Sequence, residues 1–215
     1  MMQPFTKHTG VVVPLDRINV DTDQMVPKQF CKSASREGYG RILFYDWRYV
    51  NGEAPNADFV MNHPRYRDAS VLLTRANFGC GSSREHAAWA VRDCGLRVIV
   101  APSYADIFYN NSIKNGILPV RLSDAQIDEL FERVKRHDGY RLTADLREQT
   151  VSDEFGFRVK FEIDGFRREC LLHAVDEIGR ALGHSATIAA YEKRRFFLPT
   201  LSDAARWLGL LEQPG

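Results

Sequence analysis

One ten-residue stretch limits what this chain can become: Asn77-Phe78-Gly79-Cys80-Gly81-Ser82-Ser83-Arg84-Glu85-His86. An apolar run, Val71-Leu72-Leu73, precedes it, and Ala87, Ala88, Ala90 and Val91 follow at helical spacing before Cys94-Gly95. The pattern predicts a strand, a glycine turn and a helix with glycine just past its end. Gly79 and Gly81 permit backbone conformations and close approaches that a Cβ forbids, and Ser82 or Ser83 is expected to cap the helix. The first N–H groups of a helix have no intrahelical acceptor, so the turn presents donors outward. Such a terminus favours a nearby anion by about 0.3–1 kcal/mol, and Arg84 adds a planar fork suited to a carboxylate or phosphate.

Spacing rules out the commoner chemistries of glycine turns. A nucleophile elbow requires Gly-x-Ser-x-Gly, which Gly81-Ser82-Ser83-Arg84-Glu85 is not. A P-loop requires Gly-Lys-Ser/Thr after four spacers, and the dinucleotide fingerprint requires a third glycine where Arg84 stands. Two uses remain: an anion cradle with a serine hydroxyl within reach of its ligand, or serines that only cap the helix.

With 215 residues, 44% of them hydrophobic, the chain can fill one domain with a helical annex. Lys and Arg number 29 against 28 Asp and Glu, a formal net charge of +1, which gives no nucleic-acid or membrane-surface footprint. No apolar run approaches the roughly 18 residues of a membrane helix. Met1-Met2-Gln3-Pro4-Phe5 lacks the basic and apolar regions of a signal peptide, so a cytoplasmic protein is expected. Cys31, Cys80, Cys94 and Cys170 form no Cys-x-x-Cys pair, and the six histidines form no ligand pair at helical spacing. Four reduced thiols are expected, and no metal or cofactor bound by this chain alone.

Along the chain, Thr6 to Val13 reads as a strand stopped by Pro14. Asn19-Val20-Asp21-Thr22-Asp23 sets two carboxylates one residue apart, either as a local turn and cap or as part of a polar site. Lys28 to Gly40 is a basic loop that is either a surface connection or functional. Leu43, Phe44, Trp47 and Val50 fit one helical face, and Asn51 to Asn56 is a turn. Strand, helix, strand, helix, strand is expected from Val71 to Val120, the order of crossovers in a mixed or parallel sheet. Ser123 and Gln126 form a capping box for a helix with Ile127, Leu130, Phe131 and Val134 inward. Phe157 to Leu172 reads as a hairpin around Asp164-Gly165. Val175 to Gly183, Ala186 to Phe197 and Ser202 to Leu211 are helical candidates.

The central stretch resembles a known family, together with Asn19 to Asp23 before it and Ala105-Asp106-Ile107-Phe108-Tyr109-Asn110-Asn111-Ser112-Ile113-Lys114-Asn115-Gly116 after it. That family is the small subunits of bacterial 3-isopropylmalate dehydratases, the isopropylmalate isomerases of leucine biosynthesis, in the aconitase superfamily. The likeness runs end to end. It implies an α/β fold, the three-layer β/β/α swivelling domain of the aconitase C-terminal type, spanning 1–215 as one domain with 185–211 as a helical C-terminal extension. It also implies a heteromeric hydro-lyase whose separate large subunit carries a [4Fe–4S] cluster, acting on a small dicarboxylate. By the resemblance, Ser82 is the base that takes the substrate proton, Ser83 and Arg84 bind substrate carboxylate, and Asp23 belongs to the same polar site. The loop with Phe30, Cys31, Lys32 and Ser33 selects the substrate side chain. Cys31 stands where leucine is usual, Glu37 where threonine is common and Ala88 where proline is common. The two loop departures keep homoaconitate, dimethylmalate and methylcitrate relatives open as substrates, and a non-enzymatic anion-binding module is the reading from another class. Apolar surface kept for the large subunit leaves room for self-association of the isolated chain.

Overall fold

The computed structural model describes residues 3–31, 37–174 and 183–194. The chain divides into two compact units, Met1–Asp176 and Glu177–Gly215. In the second, a helix runs over Ser185–Arg194, starting one residue before the expected Ala186 to Phe197 segment. The helical candidates at 175–183 and 202–211 lie largely or wholly outside the described residues, as does the rest of the 185–211 extension.

The first unit is built on a seven-stranded sheet. In chain order its strands are β1 (Lys7–Leu15), β4 (Ala69–Thr74), β5 (Val98–Ala101), β6 (Leu118–Arg121), β7 (Arg141–Asp145), β8 (Thr150–Ser152) and β9 (Arg158–Lys160), and their spatial order is β6-β5-β4-β1-β7-β8-β9. A separate hairpin joins β2 (Tyr49–Val50) to β3 (Ala54–Pro55). β1 is the hinge between two kinds of sheet. It pairs parallel with β4, Val12 opposite Val71 and Val13 opposite Leu72, and antiparallel with β7, Gly10 opposite Leu142. The parallel half, β1-β4-β5-β6, is apolar on both faces: Val98, Ile99, Val100 and Ala101 are all buried, as strands covered on both sides must be.

The helices are α1 (Thr22–Met25), α2 (Tyr45–Arg48), α3 (Glu85–Asp93), α4 (Asp106–Lys114), α5 (Asp124–Arg136) and α6 (Gly165–His173). The expected alternation from Val71 to Val120 is present as β4-α3-β5-α4-β6, with α3 packed on α4. α5 begins at the expected capping box: Ser123 accepts from the Gln126 N–H, and the Gln126 side chain accepts from the Ser123 N–H. Ile127, Leu130, Phe131 and Val134 are buried beneath it.

Three expectations about local structure fail for identifiable reasons. Pro14 does not end the first strand, which continues to Leu15. The β7 pairing stops at Val11 opposite Arg141, so Pro14 lies beyond the stretch where a missing N–H would break that ladder. Leu43 to Val50 is not one amphipathic helix. Phe44 adopts a left-handed conformation, α2 is four residues long, and the Asn51-Gly52 turn draws Tyr49 and Val50 into a hairpin. Asp164-Gly165 is not a hairpin turn either. Asp164 caps α6, its carboxylate accepting from the Arg167 N–H at 3.1 Å, and the strand before it spans only Arg158–Lys160. A cap and a hairpin turn use the same residue types, so alternation on one side alone did not separate them.

Candidate active site

Two short crossings hold the glycine turn at one end of the parallel strands. On one side, the Gly79 N–H donates to the Val20 carbonyl at 2.7 Å and the Thr22 N–H to the Cys80 carbonyl at 3.0 Å. On the other, the Phe78 N–H donates to Ser103 and the Ala105 N–H to Phe78. Gly79 has φ of +76°, and a Cβ there would lie 2.2 Å from Cγ of buried Phe108, so this position accepts only glycine.

The turn opens on a cavity of about 280 Å³ lined by Ser82, Ser83 and Arg84, by Ala105, Asp106, Ile107 and Phe108, and by Thr22. Neither serine caps α3. The cap position belongs to Arg84, which makes no side-chain capping bond: Arg84 itself is extended and the helix begins at Glu85. The expectation of a serine cap is therefore corrected, and its correction matters: both hydroxyls are exposed and without a protein partner among the described residues. α4 likewise starts after Ala105 without a side-chain cap, so two uncapped helix N-termini border one cavity.

The two carboxylates of the Asp-Thr-Asp segment have separate jobs. Asp21 caps α1 in a reciprocal box with Gln24, accepting from its N–H at 2.7 Å. Asp23 forms an ion pair with Arg84 Nη1. The hydrogen bond from Arg84, against an opposing effect of burial, holds the Asp23 carboxyl below the usual carboxylate range, and Asp23 in turn raises the guanidinium. Arg84 is mostly buried, with its Nε and Nη2 donors not engaged by Asp23.

Phe30 and Cys31 stand at the start of the proposed selecting loop, while Lys32 and Ser33 lie outside the described residues. The Phe30 ring sits 4.7 Å from Tyr45, centroid to centroid, and its carbonyl accepts from the Tyr39 hydroxyl at 2.9 Å. The Gly40 N–H donates to Asp93 on α3 at 2.7 Å. Both ends of the loop are thus fastened. Burial raises the Cys31 thiol, with the charge of Arg84 opposing that shift and the charge of Asp23 adding to it. Sequence reasoning assigned no role to Thr22 or to the start of α4. The signal for α4 was Gly79 itself, since a glycine forced by close approach implies a neighbour, here Phe108.

A profile of the aconitase C-terminal domain matches residues 2–125, and a second, LeuD_N, matches residues 128–165. The 3-isopropylmalate dehydratase small subunit of Brevibacillus brevis (strain 47) is 56% identical over 194 residues, 90% of this chain and all of that protein. This chain belongs to the 3-isopropylmalate dehydratase small-subunit family. The crystal structure of a 3-isopropylmalate dehydratase (LeuD) from Methanocaldococcus jannaschii has a TM-score of 0.61 at 24% identity, covering 86% of this chain and 99% of that one, and shows the shared fold. The fold is the expected α/β swivelling domain of the aconitase C-terminal type. Among the described residues, no three or more His, Cys, Asp or Glu come together as metal ligands, and no helix is long and apolar enough to cross a membrane. The four cysteines are free thiols.

Proposed function

We propose that this chain is the small subunit of a two-part hydro-lyase that converts 2-isopropylmalate to 3-isopropylmalate by dehydration and rehydration, in the cytoplasm, as one swivel-type domain with 185–211 as its extension. The observation that carries the reading is the cavity wall of two unpartnered hydroxyls beside a half-engaged guanidinium, in a chain 56% identical to a protein of that name. The partner is a large subunit, and a [4Fe–4S] cluster held there supplies a Lewis acid for the departing hydroxyl.

The residues of this chain do the remainder. Arg84 offers its free edge, and Ser83 its hydroxyl, to one substrate carboxylate. Asp23 holds the guanidinium in place from the opposite edge. Ser82 takes the proton from C3, the methylene next to the C2 carbon that loses its hydroxyl; water then adds its hydroxyl to C3 of the enoic diacid, and Ser82 returns a proton to C2. A serine hydroxyl is too weak an acid to serve as a base unaided, so its alkoxide depends on local positive potential. Arg84 and the free N–H groups at the starts of α3 and α4 supply that potential, against the opposing carboxylates of Glu85 and Asp106 in their first turns. A base so placed contributes about 10²–10⁴ in rate.

The test is reconstitution with a cluster-loaded large subunit, following absorbance of the enoic diacid. Ser82→Ala is expected to lower kcat by about 10²–10⁴ with little change in KM. Undiminished turnover in that variant overturns the assignment of the base. Comparing isopropylmalate with homoaconitate, dimethylmalate and methylcitrate in the same assay fixes the substrate.

A further inference from the structure

Thr22 is a buried polar residue, 2% exposed, in the wall of the cavity, and nothing in the reaction as described uses it. Its hydroxyl donates to the Ser82 carbonyl at 2.7 Å, across 60 residues of sequence. Its own N–H donates to Cys80, and the residues around it register the rest of the turn: Val20 receives Gly79, and Asp23 holds Arg84. Of these contacts, only the one from Thr22 reaches the residue that carries the proposed base.

That contact fixes more than the carbonyl it touches. A trans peptide is planar, with C=O and N–H on opposite sides. No peptide bond in the described chain is cis. Once the Ser82 carbonyl is tied to Thr22, the Ser83 N–H must turn away from Thr22. That N–H has no acceptor among the described residues, and it belongs to the peptide that joins the two serines. We infer that Thr22 is a positioning residue: it locks the Ser82–Ser83 peptide so that the Ser82 hydroxyl faces substrate and the Ser83 N–H remains a donor to the charge that forms there. The inference rests on Ser82 being the base.

Thr22→Val keeps the shape and removes the hydroxyl, and Thr22→Ser restores a hydroxyl on a smaller side chain. In the reconstituted two-subunit enzyme, Thr22→Val is expected to lower kcat by about 10- to 100-fold with KM changed less than about threefold, and to move the basic pH dependence of kcat upward. Thr22→Ser is expected to recover most of kcat at an unchanged pH profile. Full activity in Thr22→Val, while Ser82→Ala is inactive, overturns the positioning role and leaves the base intact. Loss of activity in Thr22→Val that Thr22→Ser does not recover, or that follows only a lower melting temperature or weaker association with the large subunit, also overturns it. Full activity in Ser82→Ala overturns the reading beneath both.

Discussion

Asp23 and Asp21 are the same residue type two positions apart, yet one is a helix cap and the other a partner of Arg84, and only the three-dimensional path of the turn tells them apart. The pair gives a pH signature whose sign can be worked out. Because the carboxyl is depressed by the bond from Arg84, the pairing contributes fully above the ordinary carboxylate range and is lost as the pH falls through the lowered value. Asp23→Asn is therefore expected to melt below the wild type at neutral pH, with the gap closing in acid. Thermal melts of the two proteins across a pH series check this, and a gap that widened in acid would contradict the assignment. Residue types alone identified the serine–arginine wall. They could not reveal that the serines are left free, because a capping role and a ligand role ask for the same side chain and differ only in where the helix begins.

The turn between β4 and α3 is fixed by its fit against α4, and its most exacting point is Gly79. Gly79→Ala would force a Cβ to 2.2 Å from Phe108 Cγ at a φ of +76°, so a loss of more than about 2 kcal/mol is expected, read by urea unfolding. At this scale the sequence was legible wherever two signals agreed. The β4-α3-β5-α4-β6 order showed through periodicity and glycine punctuation together, and α5 through its capping box together with an apolar stripe. It was illegible where one signal stood alone. The alternation ending at Asp164-Gly165 suited either a hairpin or a capped helix, and Pro14 suited either a stop or a position past the end of a ladder. The cavity wall from α4 was hidden for a different reason: contact between residues 79 and 108 is a property of the packed sheet and has no local pattern to announce it.

For the molecule as a whole, the proposed division of the chemistry between two polypeptides can be measured. Chelating iron from the reconstituted enzyme is expected to abolish turnover while leaving the melting curve of this chain by itself unchanged, since no cluster of metal ligands is found among its described residues. A shift in that curve would place a metal in this subunit. The sheet shows a matching asymmetry, with the cavity beyond the ends of its parallel half and none of β7, β8 or β9 contributing to the lining. One consequence follows from the salt link across the cavity wall. A lone guanidinium there would be free to swing, but an arginine tied to its own counter-ion keeps its remaining donors in a fixed direction. A diacid entering the cavity therefore meets a fork that is already oriented, and less freedom is lost in ordering it.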